Sequence, residues 1–275
     1  MNEPAPKPLD FSAVDDLAFA AARGRVDGSR LPLLAAQDLG PAMELAHIAD
    51  QTVLPALHEA PGLRLGRLRG LMDAIKVGGR EWLCPQTRNS GFLRTGPAPP
   101  EDQASWTKFG LAAQKSAVAA GFPKRIAAQL TAALGELYSN VHEHSEAPET
   151  GLIAFSVQPH RFEMVVADRG IGVLQSLRGS SDYRDLQDHG KALSLSLSEG
   201  VSRYGSGSGR GYGFRPLFIG LANLNGALRF RSGDHGLLID GRNPSLMTAR
   251  TAQKPSINGF FVSVSCHTSS SALQL

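Results

Sequence analysis

Three groups of residues in this sequence have types and spacings that suit chemistry. Glu136, Asn140 and His144 stand four apart in the run Glu136-Leu-Tyr-Ser-Asn140-Val-His-Glu-His144. Four residues turn an α-helix by about 400°, so successive members drift by only about 40° and share one face. A carboxylate there can act as a general base. An amide oxygen can ligate Mg²⁺, which prefers oxygen donors and keeps phosphate oxygens and water in its shell. The polar outer face of an ordinary helix has the same pattern. The second group, Asp168-Arg-Gly170-Ile-Gly172, follows directly on an apolar run. A carboxylate at a strand end, with two glycines after it, suits close approach of backbone to a planar ligand. Asp168 can accept a hydrogen bond from an exocyclic amine such as that of adenine; a plain strand-to-loop turn is the alternative. The third group is Gly209-Arg210-Gly211-Tyr-Gly213. Its glycines let backbone N–H groups face a phosphate, with the positive end of a following helix behind them; a flexible loop is the other reading. No Gly-Lys-Ser/Thr follows, so this is not a Walker A loop.

These groups need elements to hold them. Pro123 opens a long predicted helix through about Ser145, with an apolar stripe of Ile126, Leu130, Leu134, Leu137 and Val141. The Glu136, Asn140, His144 face lies beside that stripe, which puts the three polar heads at the edge of a core. A helix is also predicted over 103–120. Alternation predicts strands over 152–157 and 161–167, the second ending at Asp168. A polar stretch, a short helix over 191–198, the glycine cluster with its Gly/Ser run at 205–209 and a helix over 215–224 follow. Strands over 227–231, 236–240 and 258–265 close the chain, with Asp234-His235-Gly236 as a hairpin turn. The order predicts a two-layer α/β (α+β) sandwich on a mixed, largely antiparallel sheet.

The part before residue 104 is less legible, and its role is unassigned. Thr95 to Asp102 has no apolar period and two adjacent prolines, so 95–103 reads as a linker. Ahead of it, 30–36 suits a short strand, 41–54 a helix, and 63–77 a basic helix whose Arg64, Arg67, Arg69 and Lys76 could touch nucleic acid or an acidic partner; with no aromatic between the charges, a solvated face is the favoured reading.

Composition sets bounds. The 275 residues, 42% hydrophobic and 19% charged, allow one large domain or two modest ones. The 28 basic residues against 25 acidic ones leave +3, too small an excess to mark a nucleic-acid binder. Two cysteines rule out a disulfide scaffold, no apolar run reaches membrane length, and the first residues lack the pattern of a secretory signal. The expectation is a cytoplasmic protein with reduced thiols.

Taken together and in this order, the three groups resemble the boxes of the GHKL ATPase superfamily: gyrase, heat-shock chaperone, histidine kinase and mismatch-repair ATPases, whose ATP site is the Bergerat fold. Glu136 to His144 is similar to the N box, Asp168 to Gly172 to the first glycine box, and Gly209 to Gly213 to the second. The resemblance covers residues 104–266, leaving 1–103 in front and a tail, 267–275. It implies ATP and Mg²⁺ as ligands. Asn140 would hold the metal, Glu136 would orient or deprotonate the attacking water or hydroxyl, and His144 would lie near the phosphates. Asp168 would bind the adenine amine, with Gly170 and Gly172 letting the base lie close. Residues 173–208 would be a lid, Gly209, Gly211 and Gly213 would wrap the phosphates, and Arg203 and Arg210 are candidate γ-phosphate cations; exposed loop charges are their other reading.

Too little chain follows the ATP module here for the coupling domain of gyrase and mismatch-repair types. His47, on a predicted helix but followed by Ile48, lacks the phosphoacceptor pattern of sensor histidine kinases. The remaining resemblance is to compact anti-sigma-type serine kinases, with one departure. Gly259 is followed by Phe260, where the family has a Thr that supports the adenine-binding Asp. Two functions follow as expectations: a regulatory ATPase or protein-serine kinase, or a nucleotide-gated module that grips a protein partner with little catalysis. A homodimer is compatible with both.

Overall fold

The computed structural model describes residues 5–26, 33–49, 62–97, 104–197, 226–239 and 250–268. The chain begins with β1 (Lys7–Pro8), α1 (Phe11–Ala22), β2 (Leu34–Ala35), α2 (Leu39–Ala49), β3 (Leu63–Arg64) and α3 (Arg69–Val77). Next come β4 (Glu81–Leu83), β5 (Ser90–Arg94), α4 (Ala104–Ala119) and α5 (Lys124–His144). It continues through β6 (Leu152–Gln158), β7 (Arg161–Asp168), α6 (Gly172–Arg178), α7 (His189–Ser196), β8 (Ala227–Ile239) and β9 (Arg250–His267). Six strands form one sheet in the order β4-β5-β6-β7-β9-β8, every neighbouring pair antiparallel. The short β1, β2 and β3 form a separate parallel sheet.

The central strands explain the layering. Along β7, Phe162, Met164 and Val166 face one core while Val165 and Ala167 face another. A strand apolar on both faces must be covered on both. On one side lie α4, α5, α6 and α7, whose buried residues include Phe109, Leu134, Leu137, Val173 and Leu193. On the other lie α1, α2 and α3, with Val14, Leu39, Leu45, Ile48 and Leu71. The architecture is therefore α+β, as expected. The expected pair of layers gains a third, because the segment before residue 104 covers the second face and supplies β4 and β5 to the sheet. At the start of the predicted linker, the Thr95 N–H donates to Gly151 O at 3.0 Å.

Two ionic clusters fasten the third layer down. Glu163, on β7, caps α2: it accepts the Leu39 N–H at 2.9 Å and ion pairs from Arg67 at 2.6 Å and Arg161 at 3.2 Å. Arg67 also donates to Ser156 and to Gln37 O, and Arg161 pairs with Asp38 at 2.6 Å. At the far side of the sheet, Arg229 and Arg231 of β8 meet Glu44 and Asp15, and Lys254 joins Asp15 at 2.6 Å. Buried charges persist only when paired and hydrogen-bonded, so each cluster fixes a definite docking position. Arg67→Ala leaves the nearly buried Glu163 with one cation fewer. It should cost about 2 kcal/mol in urea unfolding at neutral pH.

Several sequence expectations change. The stretch 63–77 is not one basic helix but β3, a 3₁₀ turn (Gly66–Leu68) and the shorter α3; Arg64, Arg67, Arg69 and Lys76 are exposed, as the solvated-face reading expects, and Arg67 also pairs with Glu163. Asp234-His235-Gly236 is no hairpin turn. β8 runs straight through it, and the β8–β9 ladder shifts register between Ser232 and His235 instead. The extra residues of these shifts lie on β9, and Gly236 stays paired with Ala252; a bulge takes up extra residues within a strand pair without ending it. His47 packs against Phe261, ring centroids 6.0 Å apart, and burial with Arg169 and Arg231 nearby lowers its pKa to about 3. It is a neutral packing residue, as the weaker phosphoacceptor pattern suggested. The predicted helix over 215–224 lies outside the described residues.

Candidate nucleotide site

Asp168 is the last residue of β7 and faces the α5 layer. It is 1% exposed. Its Oδ1 accepts the Gly170 N–H at 2.8 Å, and the Phe260 N–H, opposite it in the β7–β9 ladder, supports the same carboxylate. Its Oδ2 is buried and meets no hydrogen-bond partner among the described residues. Burial pushes the Asp168 pKa up to about 7, against the smaller opposing pull of those two N–H groups. A buried acceptor without a donor is costly, and such groups in native proteins need an explanation.

The backbone around this carboxylate is closely stacked. Gly170 lies against the last turn of α5, where a Cβ would run into the Ser145 carbonyl, and the Ile171 N–H donates to that carbonyl at 2.9 Å. Gly259 of β9 has φ +71, and a Cβ there would strike the Asp168 backbone oxygen and Oδ1. Only glycine takes that conformation without strain and allows that approach. Gly172 opens α6, and Val173 beside it donates its N–H to the Ser232 hydroxyl at 3.0 Å. Ser232 in turn donates to Gly259 O at 2.8 Å. The loop from Asp168 to Val173 is thus clamped between the end of α5, β9 and β8.

The residue after Gly259 carries no hydroxyl to support Asp168. Phe260 is 5% exposed and packs edge-on against Phe230, centroids 6.4 Å apart. Ser232 is the hydroxyl that closes this region, and sequence reasoning missed it. So too with Ser145. The one available signal was Gly259, a lone glycine inside an apolar strand.

The long helix forms as predicted, with Leu130, Leu134, Leu137 and Val141 buried. Glu136 is exposed, and Asn140 and His144 are half-buried beside that stripe. His144 precedes the Ser145 carbonyl that touches the glycine loop, so the structure brings this end of the face to Asp168, Gly170 and Gly172. Glu136 stands about 12 Å back along the axis, at 1.5 Å per residue. Arg203, Gly209, Arg210, Gly211 and Gly213 lie outside the described residues, as does the end of the predicted lid, 198–208; the rest of it, 173–197, holds α6 and α7, whose Val173, Leu174, Leu177, Ala192 and Leu193 are buried in the core. No group of three or more His, Cys, Asp or Glu among the described residues could hold a metal ion, and no helix among them is long and apolar enough to cross a membrane. No family model matches the chain, and no curated protein does.

Proposed function

We propose that this chain binds adenine nucleotides with Mg²⁺ against the Asp168–Gly172 loop and transfers phosphoryl groups from ATP, to water or to a protein serine, in a regulatory role. The observation that carries the reading is the buried Oδ2 of Asp168 at the end of a strand, which meets no hydrogen-bond partner among the described residues, beside glycines packed so closely on their neighbours that no side chain fits there. An exocyclic amine supplies the missing donor. Asn140 offers an amide oxygen on the helix that ends at this loop. One such donor suits a magnesium ion that takes most of its ligands from phosphates and water, and the ion supplies charge neutralisation at the phosphates when bound. Glu136 is exposed on the same face, open to a water or hydroxyl whose proton it can accept.

The test of catalysis is Glu136→Ala. Phosphate release or transfer should fall by about 100-fold or more, within the usual range for a general base, with calorimetric ATP affinity kept. Unchanged turnover would remove Glu136 from the chemistry. Binding without turnover in the unaltered chain would leave a nucleotide-gated binding module.

A further inference from the structure

The two ionic clusters that fasten the N-terminal layer differ in where they end. The Glu163 cluster grips β6 and β7 at Ser156 and Glu163, five residues along β7 from Asp168, or about 17 Å at strand rise. The Glu44 cluster ends at the candidate site itself. Glu44 on α2 is 0% exposed and accepts from Arg229 at 2.9 and 3.1 Å and from Arg231 at 2.8 Å. Arg231 is also 0% exposed, and its other terminal nitrogen donates to Pro255 O. The next residue of β8, Ser232, points to the opposite face and holds Gly259 and Val173. Both lie against Asp168 and its loop. Ser232 is the last residue of β8 in the regular register, opposite Phe260, and the register shifts immediately after it, so pairing holds the strand there from one side only. One turn along α2 from Glu44, His47 packs on Phe261, hydrogen-bonds the Asn258 backbone and lies near Arg169. α2 therefore reaches the residues flanking both Gly259 and Asp168.

We propose that the N-terminal layer is a working part of the nucleotide site: Glu44, acting through Arg231, fixes the point on β8 from which Ser232 holds Gly259 and Val173, and so positions Asp168 against the base. Glu44 and Ser232 are positioning residues that touch no nucleotide. A change in how this layer docks is transmitted across the sheet by two adjacent residues, Arg231 and Ser232. The inference rests on the adenine-nucleotide reading of the Asp168 loop.

The test uses the full chain, Mg²⁺ and N-methylanthraniloyl ADP, with affinity read by fluorescence and folding by thermal melting. Glu44→Gln and Ser232→Ala should each weaken binding by about 10-fold, and the double variant should lose little more than the weaker-binding single, because both act through one strand position. Arg67→Ala, which loosens the same layer at the other cluster, should lower the melting temperature yet keep affinity within about 2-fold. If Glu44→Gln does not fold, Glu44→Asp keeps the charge but cannot span both guanidinium groups, and carries the same expectation. Equal losses in Arg67→Ala and the Glu44 variants, fully additive losses in the double variant, or unchanged affinity in the Glu44 variants would overturn the inference and leave the nucleotide reading standing. No binding by the unaltered chain would overturn both.

Discussion

Asp168→Asn should abolish most adenine-nucleotide binding while making the free protein more stable at alkaline pH. The two N–H groups on the inner side of Asp168 keep the amide oxygen facing Gly170 and Phe260. The amide nitrogen then takes the place of Oδ2 and presents a donor to the donor amine of adenine. A charge-assisted bond is lost and a clash of like groups replaces it, so affinity should drop by about 100-fold or more. Stability moves the other way. The native pKa is raised from 3.8 to about 7, so the group's favourable contribution is present below pH 4 and is lost as pH rises through 7. At pH 8 the buried carboxylate opposes folding by on the order of 4 kcal/mol, which an uncharged amide does not. Urea unfolding of both proteins from pH 4 to 8 should show a fall in stability for the unaltered chain and a flatter profile for Asp168→Asn. A variant that loses both stability and binding would mark Asp168 as a packing residue. The same titration makes nucleotide affinity fall as pH drops below about 7, because a proton on Oδ2 replaces the acceptor.

Gly170→Ala should be among the most damaging single-methyl additions in the chain. The new Cβ meets the Ser145 carbonyl, which is backbone and cannot rotate away. Relief requires the glycine loop to leave the end of α5, breaking the Ile171-to-Ser145 bond at 2.9 Å. Overpacking and the lost bond together should cost about 3 kcal/mol in urea unfolding, with nucleotide binding weakened in the folded fraction. Gly79→Ala is the control. Its Cβ meets only the Glu81 carbonyl at 3.8 Å, and it should stay within about 1 kcal/mol of the unaltered chain. Equal losses for the two would show that the α5–loop contact is not tight.

The parts of the site legible in the sequence are those coded locally. Asp168 closes an alternating strand, its glycines follow within four residues, and the stripe from Leu130 to Val141 fixes which face of α5 stays polar. The partners that hold them were not legible. Ser145 and Ser232 act through one oxygen each and have no spacing pattern. Glu44 and Asp15 meet Arg229 across 185 and 214 residues, which no local periodicity can announce. The apolar residues of α2 marked a helix but could not say that its partner was the back of the sheet. Asp234-His235-Gly236 looked like a turn because glycine serves turns and irregular strands alike, and only the pairing of Gly236 with Ala252 on β9 tells them apart.

The most direct test of the account is the preference for the base. Calorimetric titration of the unaltered chain with Mg-ATP and with Mg-ITP compares a 6-amino with a 6-oxo purine; N1 changes with it from acceptor to N–H donor, while the ribose and phosphates are shared. Oδ2 of Asp168, without a partner among the described residues, accepts from the amine and repels the oxo group, so ATP should bind about 30-fold or more tightly above pH 7. Equal affinity for the two, or no heat of binding for either, would contradict the assignment of Asp168 to an adenine base.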